Sequence, residues 1–103
     1  VDKRFKIRVT IRKEGIMRYF SQLDLVRILE RALRRTQLPI FFTQGFNPRV
    51  KMSFNKALKL GERGDIEVTF HFREKVDEEL FRIKLAKNLP KGIIIRNAKI
   101  VNG

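Results

Sequence analysis

The chain contains no cysteine, one histidine and three prolines in 103 residues. Without cysteine it has no disulfide framework, no thiolate zinc site and no iron–sulfur cluster held by this chain alone. No run of about 18 apolar residues occurs, and Lys or Arg interrupts most segments, so neither a spanning helix nor a secretory signal is legible. A cytoplasmic protein with no membrane role is the expectation. Nor does the spacing of residues assemble a Ser–His–Asp set, a paired-carboxylate site or a cluster of metal ligands, so no catalytic residue, metal or cofactor is assigned.

Acidic residues are also scarce. The sequence carries 24 Lys and Arg against 11 Asp and Glu, a formal net charge of +13, with a pI near 11.0. A surface of ion-pair networks would balance the signs, whereas a twofold excess of cations points to a polyanionic partner. The excess is uneven. Residues 1–59 hold 15 Lys and Arg against 4 Asp and Glu, and residues 60–103 hold 9 against 7. The cationic field therefore belongs to the N-terminal half.

Hydrophobic residues make up 43% of the chain and nine are Phe, enough for one compact core over residues 1–103. From Phe5 to Arg12 the pattern alternates, with Phe5, Ile7, Val9 and Ile11 on one face and Lys6, Arg8, Thr10 and Arg12 on the other, as in a half-buried strand. Glu14-Gly15 reads as a turn. Ser21, with Asp24 three residues on, marks the start of a helix over about 22–36. On that helix Leu25, Val26, Leu29, Ala32 and Leu33 share one side, and Asp24, Arg27, Arg31, Arg34 and Arg35 the other. Pro39 disfavours helical geometry at Leu38 and so ends it.

Ile40–Thr43 and Val50–Phe54 are expected to be short extended pieces around a tight turn, with Gly45 at positive φ and Pro48 fixing the exit. Asn55 to Asp65, with Gly61 and Gly64, is a connection. Asp65–Arg73 alternates again, with Ile66, Val68, Phe70 and Phe72 inward and Glu67, Thr69, His71 and Arg73 outward. The acidic run Asp77-Glu78-Glu79 followed by Lys84 and Lys87 suits the dipole of a second helix, which Leu89 to Gly92 ends before an Ile-rich final strand. This order predicts an α+β, ferredoxin-like split βαβ sandwich: an antiparallel sheet with two helices on one face.

Three groups of residues are candidates for function. Arg27, Arg31, Arg34 and Arg35 form a guanidinium row suited to phosphates, although Glu30 and Asp24 are spaced to pair with Arg34 and Arg27. The loop through Gln44, Gly45, Phe46, Asn47, Arg49 and Lys51 combines turn amides, two cations and a ring able to stack on an unpaired base; the alternative is a structural loop with Phe46 in the core. Lys6, Arg8, Arg12, His71 and Arg73 form a basic sheet face, open to RNA or covered by another protein. His71 on an exposed strand is expected to be solvated, although an RNA-cleaving role is the conceivable extreme.

The stretch Arg18-Tyr-Phe-Ser-Gln-Leu-Asp-Leu, with Glu30-Arg-Ala-Leu-Arg-Arg, Leu38-Pro, Gln44-Gly-Phe-Asn-Pro, Lys51-Met-Ser-Phe, Ala57-Leu and Leu60-Gly, resembles the radical S-adenosylmethionine (radical SAM)-associated family. Gln22 stands where that family usually carries histidine. Members occur alone or as a C-terminal domain fused to a radical SAM protein, so the resemblance implies an accessory domain, with RNA and a radical SAM protein as partners. The expected function is non-catalytic RNA binding in support of an RNA-modifying enzyme. The alternative is a module that docks on a radical SAM partner without touching RNA.

Overall fold

The computed structural model describes residues 5–56 and 65–101. Four strands and two helices follow in the order β1 (Phe5–Lys13), α1 (Gln22–Thr36), β2 (Met52–Lys56), β3 (Asp65–Phe72), α2 (Glu78–Asn88) and β4 (Ile93–Ile100). The strands form one antiparallel sheet in the order β2-β3-β1-β4, and the helices share one core with its inner face. This is the α+β sandwich of ferredoxin-like type that the element order predicts. The connection containing Gly61 and Gly64 lies outside the described residues.

Helix α1 forms where its end signals place it. The Ser21 hydroxyl accepts from the Asp24 amide at 3.1 Å, and the Asp24 carboxylate accepts from the Ser21 amide at 3.0 Å, so two otherwise orphaned donors are satisfied reciprocally. The Ser21 amide and, after it, the Ser21 hydroxyl at 2.9 Å both donate to the Asp24 carboxylate and hold it below its ordinary value. At the other end Gln37 turns left-handed with φ 61°. Leu25, Leu29, Ala32 and Leu33 are buried against the sheet, Val26 is half-buried, and all four arginines face solvent.

Helix α2 has little amphipathic pattern, and two residues, Phe81 and Leu85, are buried. Phe81 meets Phe72 edge-on at a centroid distance of 5.4 Å and Phe70 at 5.7 Å, so a three-ring cluster seats the helix. Asp77 caps its start by accepting from the Leu80 amide.

Three local features depart from simple alternation. Lys13 occupies an inner position at the end of β1 and is buried, its ammonium donating to the Phe20 carbonyl at 3.2 Å. Glu14-Gly15 opens a 3-10 turn over Gly15–Tyr19 rather than a simple reversal. In β4 the register against β1 shifts between Ile95 and Asn97. This bulge at Arg96 switches parity, so that Ile93 and Ile95 on one side of it and Ala98 and Ile100 on the other all reach the core.

Gly92, at φ +98°, lies where a Cβ would stand 2.7 Å from Met17 Cγ and 2.9 Å from the Glu14 carbonyl oxygen. Its own carbonyl accepts from the Glu14 amide at 2.7 Å. Beside it, β4 runs along the sheet edge, and the Ile100 amide on that strand donates to the Glu78 carboxylate at 3.2 Å.

Two changes test this account in urea denaturation. Phe81→Ala is expected to destabilise the domain by about 3–5 kcal/mol, because it empties the ring cluster. Gly92→Ala is expected to destabilise it through both its φ and the Met17 contact; an unchanged midpoint for either variant would contradict the packing described.

Candidate nucleic-acid interface

The segment between α1 and β2 folds as a short hairpin on the end of the sheet. Ile40 bridges Phe72, and Phe42 bridges Val50. The Phe41 amide donates to the His71 carbonyl and the Arg73 amide to the Pro39 carbonyl. Thr43 and Arg49 close the loop: the Thr43 amide donates to the Arg49 carbonyl, and the Arg49 amide to the Thr43 hydroxyl. Gln44, Gly45, Phe46, Asn47 and Pro48 are then carried beyond the body of the protein, all exposed. Gly45 has φ +134°, as its place in the turn requires. The Phe46 ring is fully exposed, which removes the alternative in which it fills the core.

Charge pairing differs from the expectation drawn from helix spacing. Glu30 pairs with Arg49 across the hairpin and not with Arg34 four residues along. The Arg49 Nε donates to both carboxylate oxygens, at 3.1 and 2.9 Å, and Nη2 donates to Oε1 at 2.9 Å. The Val50 amide donates to Oε2 at 3.0 Å. The Arg49 side chain is half solvent-exposed and that of Glu30 is 13% exposed. The Arg49 hydrogen bonds, with the Val50 amide and the nearby Arg34 charge, hold the Glu30 carboxyl below its ordinary 4.5. Arg49 is thus a strut for the loop before it is a phosphate contact.

Arg34 instead lies over the Phe42 ring, its guanidinium carbon 5.0 Å from the centroid, which leaves its N–H fork unspent on a carboxylate. Asp24 is engaged with Ser21, so it is not a partner reserved for Arg27. Among the described residues no carboxylate lies within 4.0 Å of Arg27, Arg31, Arg34 or Arg35. Lys51 is half-buried, its amide donating to the Phe41 carbonyl.

The sheet face is less available than its sequence implies. Register sets Lys6 opposite His71, Arg8 opposite Thr69, and Arg12 opposite Asp65. Arg12 is ion-paired with Asp65 at 3.1 Å, and the Arg73 Nε donates to the Ile40 carbonyl at 3.1 Å. His71, expected to be solvated, is 6% exposed and Thr69 8%. His71 Nε2 lies 3.3 Å from Ser53 Oγ. His71 is thus covered and not solvated as its outward parity implies. Among the described residues the exposed cations of this face include Arg8 and, brought opposite it by β4, Lys99. Nothing in the local sequence of β4 announces that neighbour.

Among the described residues no group of three His, Asp or Glu side chains is placed to hold a metal, and no helix is long and apolar enough to cross a membrane. What the fold and this surface define is a small α+β sandwich with a pinned, outward-facing aromatic loop beside a cationic helix. The chain belongs to the family described as an uncharacterized protein conserved in bacteria (DUF2344), whose model matches residues 6–103. No curated protein and no solved structure matches it. The family description names no partner, so the radical SAM link rests on the motif resemblance.

The Glu30 link predicts an acid-sensitive fold. A carboxyl lowered in the folded state stabilises above its unfolded pKa and loses that contribution as pH falls through the lowered value. Glu30→Gln is therefore expected to melt below wild type near neutrality, and the gap to close as pH drops below the ordinary 4.5. Thermal melts of both proteins across that range check this; a gap independent of pH would contradict it.

Proposed function

We propose that the protein is a non-catalytic RNA-binding accessory domain, in which Arg27, Arg31, Arg34 and Arg35 contact phosphates and the Gln44–Asn47 loop contacts unpaired bases. The observation that carries this reading is the joining of two surfaces by one ion pair. Arg49 and Glu30 tie the exposed Phe46 loop to the helix whose other cations lack carboxylate partners among the described residues. Phosphate contacts set affinity and an exposed ring stacks on any base, so the pairing suits single-stranded RNA read with little sequence preference. Base recognition through Asn47 adds a modest bias.

In this reading the domain delivers RNA to a radical SAM enzyme in the cytoplasm, the partner and compartment that the motif resemblance and composition imply. The competing reading, a protein-docking module, draws support from a separate observation. Ile83 and Ile94 are 55% and 39% exposed and line one groove at the β4 edge. The two readings use different surfaces and are separable.

Fluorescence anisotropy with a short single-stranded RNA is expected to give log affinity falling linearly with log salt, at about −0.7 per phosphate neutralised. Reversing Arg31 and Arg34 to Glu should reduce that slope and weaken binding. Phe46→Ala should cost about 1–3 kcal/mol with the slope unchanged. Affinity indifferent to salt and to the arginine reversals would overturn the proposal in favour of docking.

A further inference from the structure

Cations from two separate elements meet at one concavity. Arg31 and Arg35 of α1 and Lys87 in the last turn of α2 line a groove of about 440 Å³ between the helices. No acidic residue lines it, and its apolar lining includes Phe20, Ile28 and Leu89. Phe20 caps the 3-10 turn and its carbonyl holds Lys13, so the aromatic wall of the groove is fixed to the end of β1. The volume is that of a site for one small ligand, far short of a duplex.

The charge count discriminates among ligands. An internal phosphodiester carries one negative charge. A terminal phosphate monoester carries about −1.5 to −2 at neutral pH, with a second pKa near 6, and offers three acceptor oxygens. Three cations in the lining of one groove match the second better than the first. We propose that the groove captures the phosphorylated terminal nucleotide of a single-stranded RNA, with its monoester on Arg31, Arg35 and Lys87 and its base against the apolar wall at Phe20. This rests on the RNA-binding reading and adds to it a preference for ends over internal sequence. The shared chemistry is a phosphate monoester, whether 5′ or 3′.

The test uses one short RNA sequence in three forms, with a 5′-phosphate, with a 3′-phosphate, and with hydroxyls at both ends. Anisotropy is measured with the wild-type chain, Lys87→Gln and Arg27→Gln. One phosphorylated form is expected to bind at least about tenfold more tightly than the hydroxyl form, as charge-assisted contacts warrant, and its identity assigns the end. That preference should shrink as pH falls below about 6 and the monoester loses a charge. Lys87→Gln, a surface change, should weaken the preferred phosphorylated form several-fold more than the hydroxyl form and so narrow the preference. Arg27→Gln, outside the groove, should weaken all three alike. Equal affinity for all three RNAs, with salt-sensitive binding intact, would overturn the end-capture proposal and leave the RNA reading standing. Absence of salt-sensitive binding to any RNA would overturn both.

Discussion

Glu30 lies in the middle of an arginine-rich helix face, and what it binds decides the form of the surface around it. Its two oxygens accept three hydrogen bonds from the Arg49 guanidinium and one from the Val50 amide. A carboxylate with so many charge-assisted donors is fixed in place, and so is whatever is attached to those donors. Here that is the hairpin from Ile40 to Val50. The same engagement withdraws Glu30 from Arg34, which turns to the Phe42 ring. One acidic residue thus orders an aromatic loop, and among the described residues its neighbouring arginines make no ion pair with a carboxylate.

Much of the scaffold was legible because it obeys simple periods. The alternation in β1 and β3, the 3.6-residue stripe of α1 and the Ser21–Asp24 spacing each report a local rule, and residues 22–36 form the helix those rules mark out. The candidate surface was legible in part. Exposed arginines on α1 and a positive φ at Gly45 follow from the helical wheel and from turn chemistry. The partner of Glu30 did not follow. Helix spacing points to Arg34, but the arginine 19 residues away wins because its fork and the next amide reach the same carboxylate together.

The other departures share a cause: tertiary context overrides a residue's ordinary preference. Lys13 continues an alternation that places it inward, and the Phe20 carbonyl, by accepting from its ammonium, makes that position tenable. His71 and Thr69 are outward by parity but covered on a central strand. The bulge at Arg96 exchanges inner and outer faces within one strand, so a reading of β4 by strict alternation misplaces half of it. Lys87, distant in sequence from the arginines, joins them through the packing of α2 against the core. Sequence spacing cannot express that convergence.

Glu78 has a further part to play at the margin of the sheet. An unpaired strand end is a template on which another chain can add, and Ile93-Ile94-Ile95 is the kind of β-branched run that favours such growth. By accepting from the Ile100 amide, the carboxylate occupies a donor that an incoming strand would need and sets a negative charge in its path. The kink at Arg96 bends the same margin out of line. Among the described residues no strand pairs with the outer edge of β4, and the carboxylate at one end with the bulge in its middle makes that edge a poor template for an incoming strand.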